Sequence, residues 1–216
     1  MQNHQRVSEA FAFAAELHHD HFRKVGPNEP KTLEIAYMTH LAEVFAFVIQ
    51  GFGDDDQMIA ALLHDSIEDR PVAPDGRKTR DVILEKFGQR VLDLVLANTD
   101  SETVPGVPKE AWLPRKEKHI AHIRALGADD KSVLLVGLAD KLSNGHAIVN
   151  DINTHGTKVW HRFKKPTPAE IAWYYTSMLR VFQDLIPENP LVPRLAGVVK
   201  EIQKKSDEVG GQKPAM

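Results

Sequence analysis

One stretch, Ala60–Arg70, reading A-A-L-L-H-D-S-I-E-D-R, constrains this chain more than any other. Its first four residues are apolar enough to end a buried helix. The next six contain His64, Asp65, Glu68 and Asp69. On a helix, residues three or four apart share a face, so His64 falls beside Glu68, and Asp65 beside both Glu68 and Asp69. Three carboxylates and an imidazole held against an apolar segment repel one another and lose hydration. A cation relieves both penalties, and an imidazole next to a carboxylate suits a divalent metal such as Mn, Fe or Zn. The competing reading is a polar helix end with solvated acids and a capping histidine.

A chain of 216 residues suffices to bury such a stretch in one domain with a substantial core. The formal net charge of −3 gives no global attraction to nucleic acid or to an anionic membrane. A phosphorylated ligand would therefore be met by local clusters of Lys and Arg. The absence of cysteine excludes disulfides and thiolate-ligated zinc, and agrees with a cytoplasmic protein. The opening M-Q-N-H-Q-R-V-S-E lacks the apolar core of a signal peptide. Leu41–Ile49 is apolar but short and carries Glu43, which makes it a core helix and not a membrane span.

The apolar periodicity is helical nearly throughout, and no strand pattern appears. Val7, Phe11, Ala14, Ala15 and His18 mark a first helix ending near His21, followed by a polar turn with Gly26, Pro27 and Pro30. Thr32 is placed to cap a second helix whose inner face carries Ile35, Ala36, Thr39, His40, Glu43 and Phe47, with Gly51 and Gly53 ending it. Asp54 and Gln57 have capping-box spacing for a third helix, expected to run from Asp55 to about Asp69. Two short helices follow at Thr79–Phe87 and from Gln89 to Ala97, then a long loop to Trp112. The pattern next predicts a helix over Pro114–Leu126 stopped by Gly127, and a buried helix from Asp130 to about Asn150 capped by Asp129. Thr167-Pro168-Ala169-Glu170 starts a helix reaching Leu185. An amphipathic piece at about Pro193–Lys204 precedes a Gly/Lys-rich tail expected to be flexible. The expectation is an all-α, single-domain helical bundle over 1–186, with 187–216 forming a C-terminal helix and tail.

Two further polar residues sit in apolar settings. His40 lies mid-helix on an otherwise apolar face, where a hydrogen-bonded core histidine is the plain alternative to a ligand. Asp140 interrupts S-V-L-L-V-G-L-A-D-K-L, where a carboxylate is costly unless paired, for instance with Lys141, or metal-bound. The two anomalies support each other. His40, His64, Asp65 and Asp140 come from three helices and together supply two imidazoles and two carboxylates, a ligand set for an octahedral ion with open water positions.

The order H…HD…D resembles the HD superfamily of metal-dependent phosphohydrolases. H-x-x-H-x-R-K at His18–Lys24, T-H-L at Thr39–Leu41, A-L-L-H-D-x-x-E-D at Ala61–Asp69, F-G-x-x-V at Phe87–Val91 and L-A-D-K-L-x-N at Leu138–Asn144 narrow it. These resemble the hydrolase domain of RelA/SpoT-type enzymes, and more closely the stand-alone small alarmone hydrolases. With no synthetase or regulatory region following, the long bifunctional form is not expected. The resemblance implies an HD-type bundle with the metal site between its central helices. It implies Mn²⁺ (or another divalent ion) on His40, His64, Asp65 and Asp140, and Glu68 with Asp69 orienting and deprotonating the attacking water. Arg23 would stack on a purine with Lys24 beside it, and Asn144 would contact the ribose or nucleotide. The implied reaction hydrolyses the 3′-diphosphate of guanosine 3′,5′-bis(diphosphate) and releases pyrophosphate, with a purine nucleotide 3′-diphosphate as the partner and neither nucleic acid nor membrane.

Among the basic residues, Lys116 and Arg162 are the preferred phosphate contacts; the others in their clusters read as solvated charge. Tyr174, in the trio Trp173-Tyr174-Tyr175, falls near the place where the small hydrolases offer a tyrosine to the nucleotide, although core packing suits it equally. Gly137 stands where the family often has Lys, and His146 where it commonly has a phosphate-binding Arg. Gly145 inside a helix suggests a bend. These departures touch the nucleotide side, so adenosine alarmones, NADPH and simple nucleotides remain alternatives, as does a non-catalytic nucleotide-binding module.

Overall fold

The computed structural model describes residues 4–23, 35–99, 110–162 and 166–210, and all regular structure among them is helical. In chain order the helices are α1 (His4–Leu17), α2 (Met38–Gln50), α3 (Asp55–Leu63), α4 (Ser66–Asp69), α5 (Thr79–Phe87), α6 (Gln89–Asn98), α7 (Trp112–Asp129), α8 (Leu134–His155), α9 (Pro168–Leu185) and α10 (Leu191–Gly210). Short 3₁₀ segments at Lys131–Val133 and Gly156–Arg162 flank α8. None of the described helices is long and apolar enough to cross a membrane.

Two helix starts follow the capping chemistry closely. Asp54 accepts from the backbone N–H of Gln57 while the Gln57 side chain accepts from the backbone of Asp54. Thr167 and Glu170 do the same for α9, with Pro168 at the first helical position. Satisfying backbone donors at an exposed helix start is a local matter, which is why these boundaries can be read from four residues.

The boundaries set by tertiary packing differ from the sequence reading. α1 ends at Leu17, and His18–Asp20 form a turn. Residues 35–37 do not begin the second helix. Arg23 N–H donates to the Ile35 carbonyl at 2.8 Å and Tyr37 N–H to that of His21 at 2.9 Å, an antiparallel bridge around Phe22 and Ala36. Ile35 is consequently exposed, and His40 sits in the first turn of α2 and not in its middle. The proposed cap at Thr32 lies outside the described residues. The helix expected over Asp55–Asp69 is broken at His64-Asp65 into α3 and α4. α7 runs through Gly127 to Asp129, and the glycine there serves packing, since a Cβ at 127 would lie 2.5 Å from Leu134 Cδ2. Asp130, not Asp129, caps the segment leading into α8.

α8 is the axis of the core. α2 packs on one side of it with α3 behind, while α10 and α9 cover another side. Leu134, Val136, Leu138, Ala139 and Leu142 of α8 are fully buried. α8 is continuous through Gly145. The small size of this glycine admits α10: a Cβ there would stand 2.6 Å from Val198 Cγ1 and 3.2 Å from Tyr175 Cε1. The expected C-terminal helix is longer than Pro193–Lys204 and packs on α8 and α9 along its length; the tail from 211 lies outside the described residues.

Gly145→Ala removes a helix-interior glycine, which alone would stabilise by about 1 kcal/mol. Val198 is β-branched and stiff at χ1, so it cannot swing away. Overpacking costs about 1–3 kcal/mol, and a net loss of stability in urea unfolding is expected. Val198→Ala in the same chain should recover much of that loss. A single Gly145→Ala variant more stable than the parent would contradict this account of the α8–α10 contact.

Candidate active site

His40 from α2, His64 and Asp65 from the α3–α4 turn, and Asp140 from α8 converge on one point. His40 Nε2 is 3.3 Å from Asp140 Oδ1 and 3.7 Å from Asp65 Oδ2. His64 Nε2 is 3.0 Å from Asp65 Oδ2 and 3.6 Å from Asp140 Oδ1. The ligating atoms of His40, His64 and Asp65 all lie within 4.8 Å of one another. Both imidazoles are 2% exposed. The regular helix is interrupted at this pair, between α3 and α4.

Neither His40 Nε2 nor His64 Nε2 has a hydrogen-bond partner although both are buried. For His64 the other nitrogen decides the tautomer. Nδ1 lies 2.8 Å from the Ala61 carbonyl, which can only accept, so Nδ1 carries a proton and Nε2 is the nitrogen turned to the carboxylates, whose lone pair a cation would take in place of a second proton. Nitrogen lone pairs facing two carboxylates in one space form the donor set of a divalent cation. The protein alone compensates imperfectly. Burial opposes charge on His64, yet the carboxylates of Asp65 and Asp140 hold its pKa well above the ordinary value. Burial would likewise raise Asp140, but Lys141, with Nζ 2.5 Å away, and the two imidazoles hold it well below the carboxylate range. The Lys141 pairing expected as an alternative to metal binding is therefore present together with the ligand geometry.

Asp65 is fixed from the side by Tyr37, whose hydroxyl donates to Oδ2. The Tyr37 ring stacks on His21, centroids 3.9 Å apart, and on buried His18 at 5.2 Å. Burial and the neighbouring His21 push the His18 pKa down to about 4, so His18 is neutral at ordinary pH. Asn144 donates to Asp140 Oδ1 at 2.5 Å and accepts from Arg23 at 3.0 Å, linking Arg23 to the ligand cluster.

Above the cluster opens a cavity of about 410 Å³. Asp65 and Asp140 lie at its wall together with Glu68, Asp69, Arg23, Asn144, Lys116 and Tyr174, so eight of the residues expected at the site line one space. Lys116 Nζ sits 4.9 Å from the Tyr174 ring centroid. Tyr174 and Tyr175 both face the cavity, whereas Trp173 points outward at 37% exposure. Lys24 and the Arg162 side chain lie outside the described residues. His146 is not among the cavity residues: its ring packs edge-on against Phe47, centroids 5.6 Å apart, and burial lowers its pKa. A phosphate role for His146 therefore has no support in the geometry, because the helix face one turn past Asp140 passes through Asn144 and not His146. Gly137 has a packing reason instead. A Cβ there would lie 2.7 Å from Asn98 Oδ1, and Asn98 lines the cavity. Sequence reasoning passed over Tyr37 and His21 because the antiparallel bridge that brings them to the site has no periodic signature.

A family model described as an HD domain matches residues 10–168. The chain belongs to the HD domain family. It is 32% identical over 146 residues to a guanosine-3′,5′-bis(diphosphate) 3′-pyrophosphohydrolase of Aquifex aeolicus, covering 66% of this chain and 18% of that protein. It is 29% identical over 143 residues to the bifunctional (p)ppGpp synthase/hydrolase SpoT of Escherichia coli, covering 65% and 18%. This HD chain thus spans less than a fifth of the length of these curated relatives. Among solved structures, a metazoan ortholog of SpoT described as hydrolysing ppGpp shares the fold, with TM-score 0.63 and 24% identity over 91% of this chain and 94% of the other. A Listeria monocytogenes protein matches 76% of this chain and 99% of its own with TM-score 0.58, again at 24% identity.

Ligand binding to the native state stabilises it by about 2.7 kcal/mol at a hundredfold excess over Kd. Saturating divalent metal should therefore raise the melting temperature of this HD domain, and a chelator should reverse the shift. His64→Ala should abolish the response. A melting temperature unmoved by Mn²⁺, Mg²⁺, Co²⁺ and Zn²⁺ alike would contradict the donor-set reading.

Proposed function

We propose that the domain is a metal-dependent phosphohydrolase acting on guanosine 3′,5′-bis(diphosphate), removing the 3′-diphosphate as pyrophosphate, with Mn²⁺ held by His40, His64, Asp65 and Asp140. The observation that carries this reading is the pair of buried, unpartnered imidazole nitrogens facing two carboxylates at the wall of a cavity that also holds Arg23 and Lys116. Relatives whose names state this activity support it. A divalent ion bound there supplies Lewis-acid activation of water and neutralises charge developing on phosphoryl oxygens.

The chain's own residues divide the remaining work. Glu68 and Asp69 follow Asp65 within one turn, and the Asp69 backbone N–H bonds to the Asp65 carbonyl at 2.9 Å. That short tether places two carboxylates beside the ligand cluster, where one orients the attacking water and accepts its proton. Arg23, held by Asn144, offers a flat guanidinium to a purine, a task that a lysine cannot perform. Lys116 with Tyr174 forms another part of the cavity wall, where a cation over an aromatic ring would meet phosphate oxygens. The tyrosine hydroxyl, buried without a partner, is available to donate to one of them.

A panel of guanosine and adenosine 3′-diphosphates, NADPH and simple nucleotides, assayed with Mn²⁺ and with products identified, tests the reading. Pyrophosphate from the guanosine substrate is expected. Inorganic phosphate alone, or turnover of only the simple nucleotides, would replace this function with another HD-type activity. A general base contributes about 10²–10⁴-fold. Glu68→Gln and Asp69→Asn should accordingly lose turnover by factors in that range while still binding Mn²⁺. Rates within tenfold of the parent in both variants would remove these acids from the chemistry.

A further inference from the structure

His40 and His64 present the same nitrogen to the site but are oriented by different means. His64 relies on a backbone carbonyl, as described above. His40 relies on two side chains. Its Nδ1 lies 2.9 Å from Ser143 Oγ, and Ser143 Oγ donates to Glu43 Oε2 at 2.6 Å. A hydroxyl has one proton. With that proton committed to the Glu43 carboxylate, Ser143 can only accept from the imidazole. The direction is then fixed along the whole chain: His40 Nδ1–H donates to Ser143, and Ser143 O–H donates to Glu43. His40 Nε2 is left as a lone pair pointing at Asp65 and Asp140.

The placement of these groups follows from helix geometry. Glu43 stands three residues after His40 on α2, and Ser143 three residues after Asp140 on α8. Each helix therefore shows one cluster residue and one supporting residue on the same face. Ser143 is fully buried and Glu43 partly so, which shields the hydrogen bonds from water. A carboxylate at the far end of such a chain also makes the imidazole a stronger base towards a cation.

We propose that Ser143 and Glu43 are positioning residues that lock His40 into its Nδ1–H tautomer and thereby set the metal affinity of the site. The proposal rests on the metal-site reading given above. Ring ¹⁵N shifts of histidine in the metal-free protein report the tautomer directly, and calorimetry with Mn²⁺ reports affinity. In the parent, His40 is expected wholly as the Nδ1–H form. Ser143→Ala should show a mixture of tautomers and a Mn²⁺ affinity lowered by about 10–100-fold, the usual effect of losing such a partner. Glu43→Ala frees the Ser143 proton and should give a smaller change in the same direction. Glu43→Gln keeps an acceptor oxygen and should restore the tautomer.

Circular dichroism and thermal melting establish that each variant is folded, and Glu43→Ala, at a partly exposed position, carries the test should Ser143→Ala not fold. An unchanged His40 tautomer together with Mn²⁺ affinity within twofold of the parent in the folded variants would overturn the proposal. The ring-nitrogen measurement needs no metal. A parent protein that binds no ion would thus defeat the metal-site reading, while the tautomer result would still decide the role of Ser143 and Glu43.

Discussion

Two imidazole nitrogens, buried and turned by their own hydrogen bonds towards two carboxylates, govern the rest of this structure. Burying carboxylates is costly unless they are paired, and removing one partner of such a cluster is costlier than never having built it. The helices are arranged around that constraint. α2 brings His40, the α3–α4 turn brings His64 and Asp65, and α8 brings Asp140 from the middle of an apolar run. Lys141 and Asn144, one position and one turn beyond Asp140, compensate its charge from the cavity side. Lysine, amide and the two imidazoles compensate that charge within the protein, and the same imidazole and carboxylate atoms suit a divalent cation as a whole.

The same constraint explains the local irregularities. The helix expected over Asp55–Asp69 is interrupted at His64 and Asp65, the pair that faces His40 and Asp140. The bridge between residues 21–23 and 35–37 carries Tyr37 to Asp65 and Arg23 to Asn144, so one short extended pairing serves both the ligand cluster and the cavity rim. α10 contributes nothing to the cluster directly. By packing against Gly145 of α8 and alongside α9, it holds the helices that carry Asp140 and Tyr174.

The readable parts of this molecule are those whose cause is local. The Asp54 and Thr167 caps, the spans of α5, α6 and α9, and the incongruity of Asp140 in its apolar run all depend on residues within a few positions of one another. His40, His64, Asp65 and Asp140 were legible because each breaks a local pattern at real energetic cost. The break at His64 was not legible, since both turn residues keep right-handed helical dihedrals and neither Gly nor Pro marks it. Tyr37 and His21 were hidden for the reason that pairing across a connecting segment has no period. His146 was misplaced because a resemblance in sequence spacing does not fix which face of α8 meets the cavity; the ring turns to Phe47 instead. Gly137 and Gly145 read as losses in sequence and as room for Asn98 and Val198 in three dimensions.

The most direct measurement of the central claim is anomalous scattering from a crystal of the protein loaded with Mn²⁺. The expected result is one peak at the cluster, bonded to Nε2 of both His40 and His64 and to carboxylate oxygens of Asp65 and Asp140. A peak bonded elsewhere, or no peak at this cluster in protein that remains folded, would contradict it.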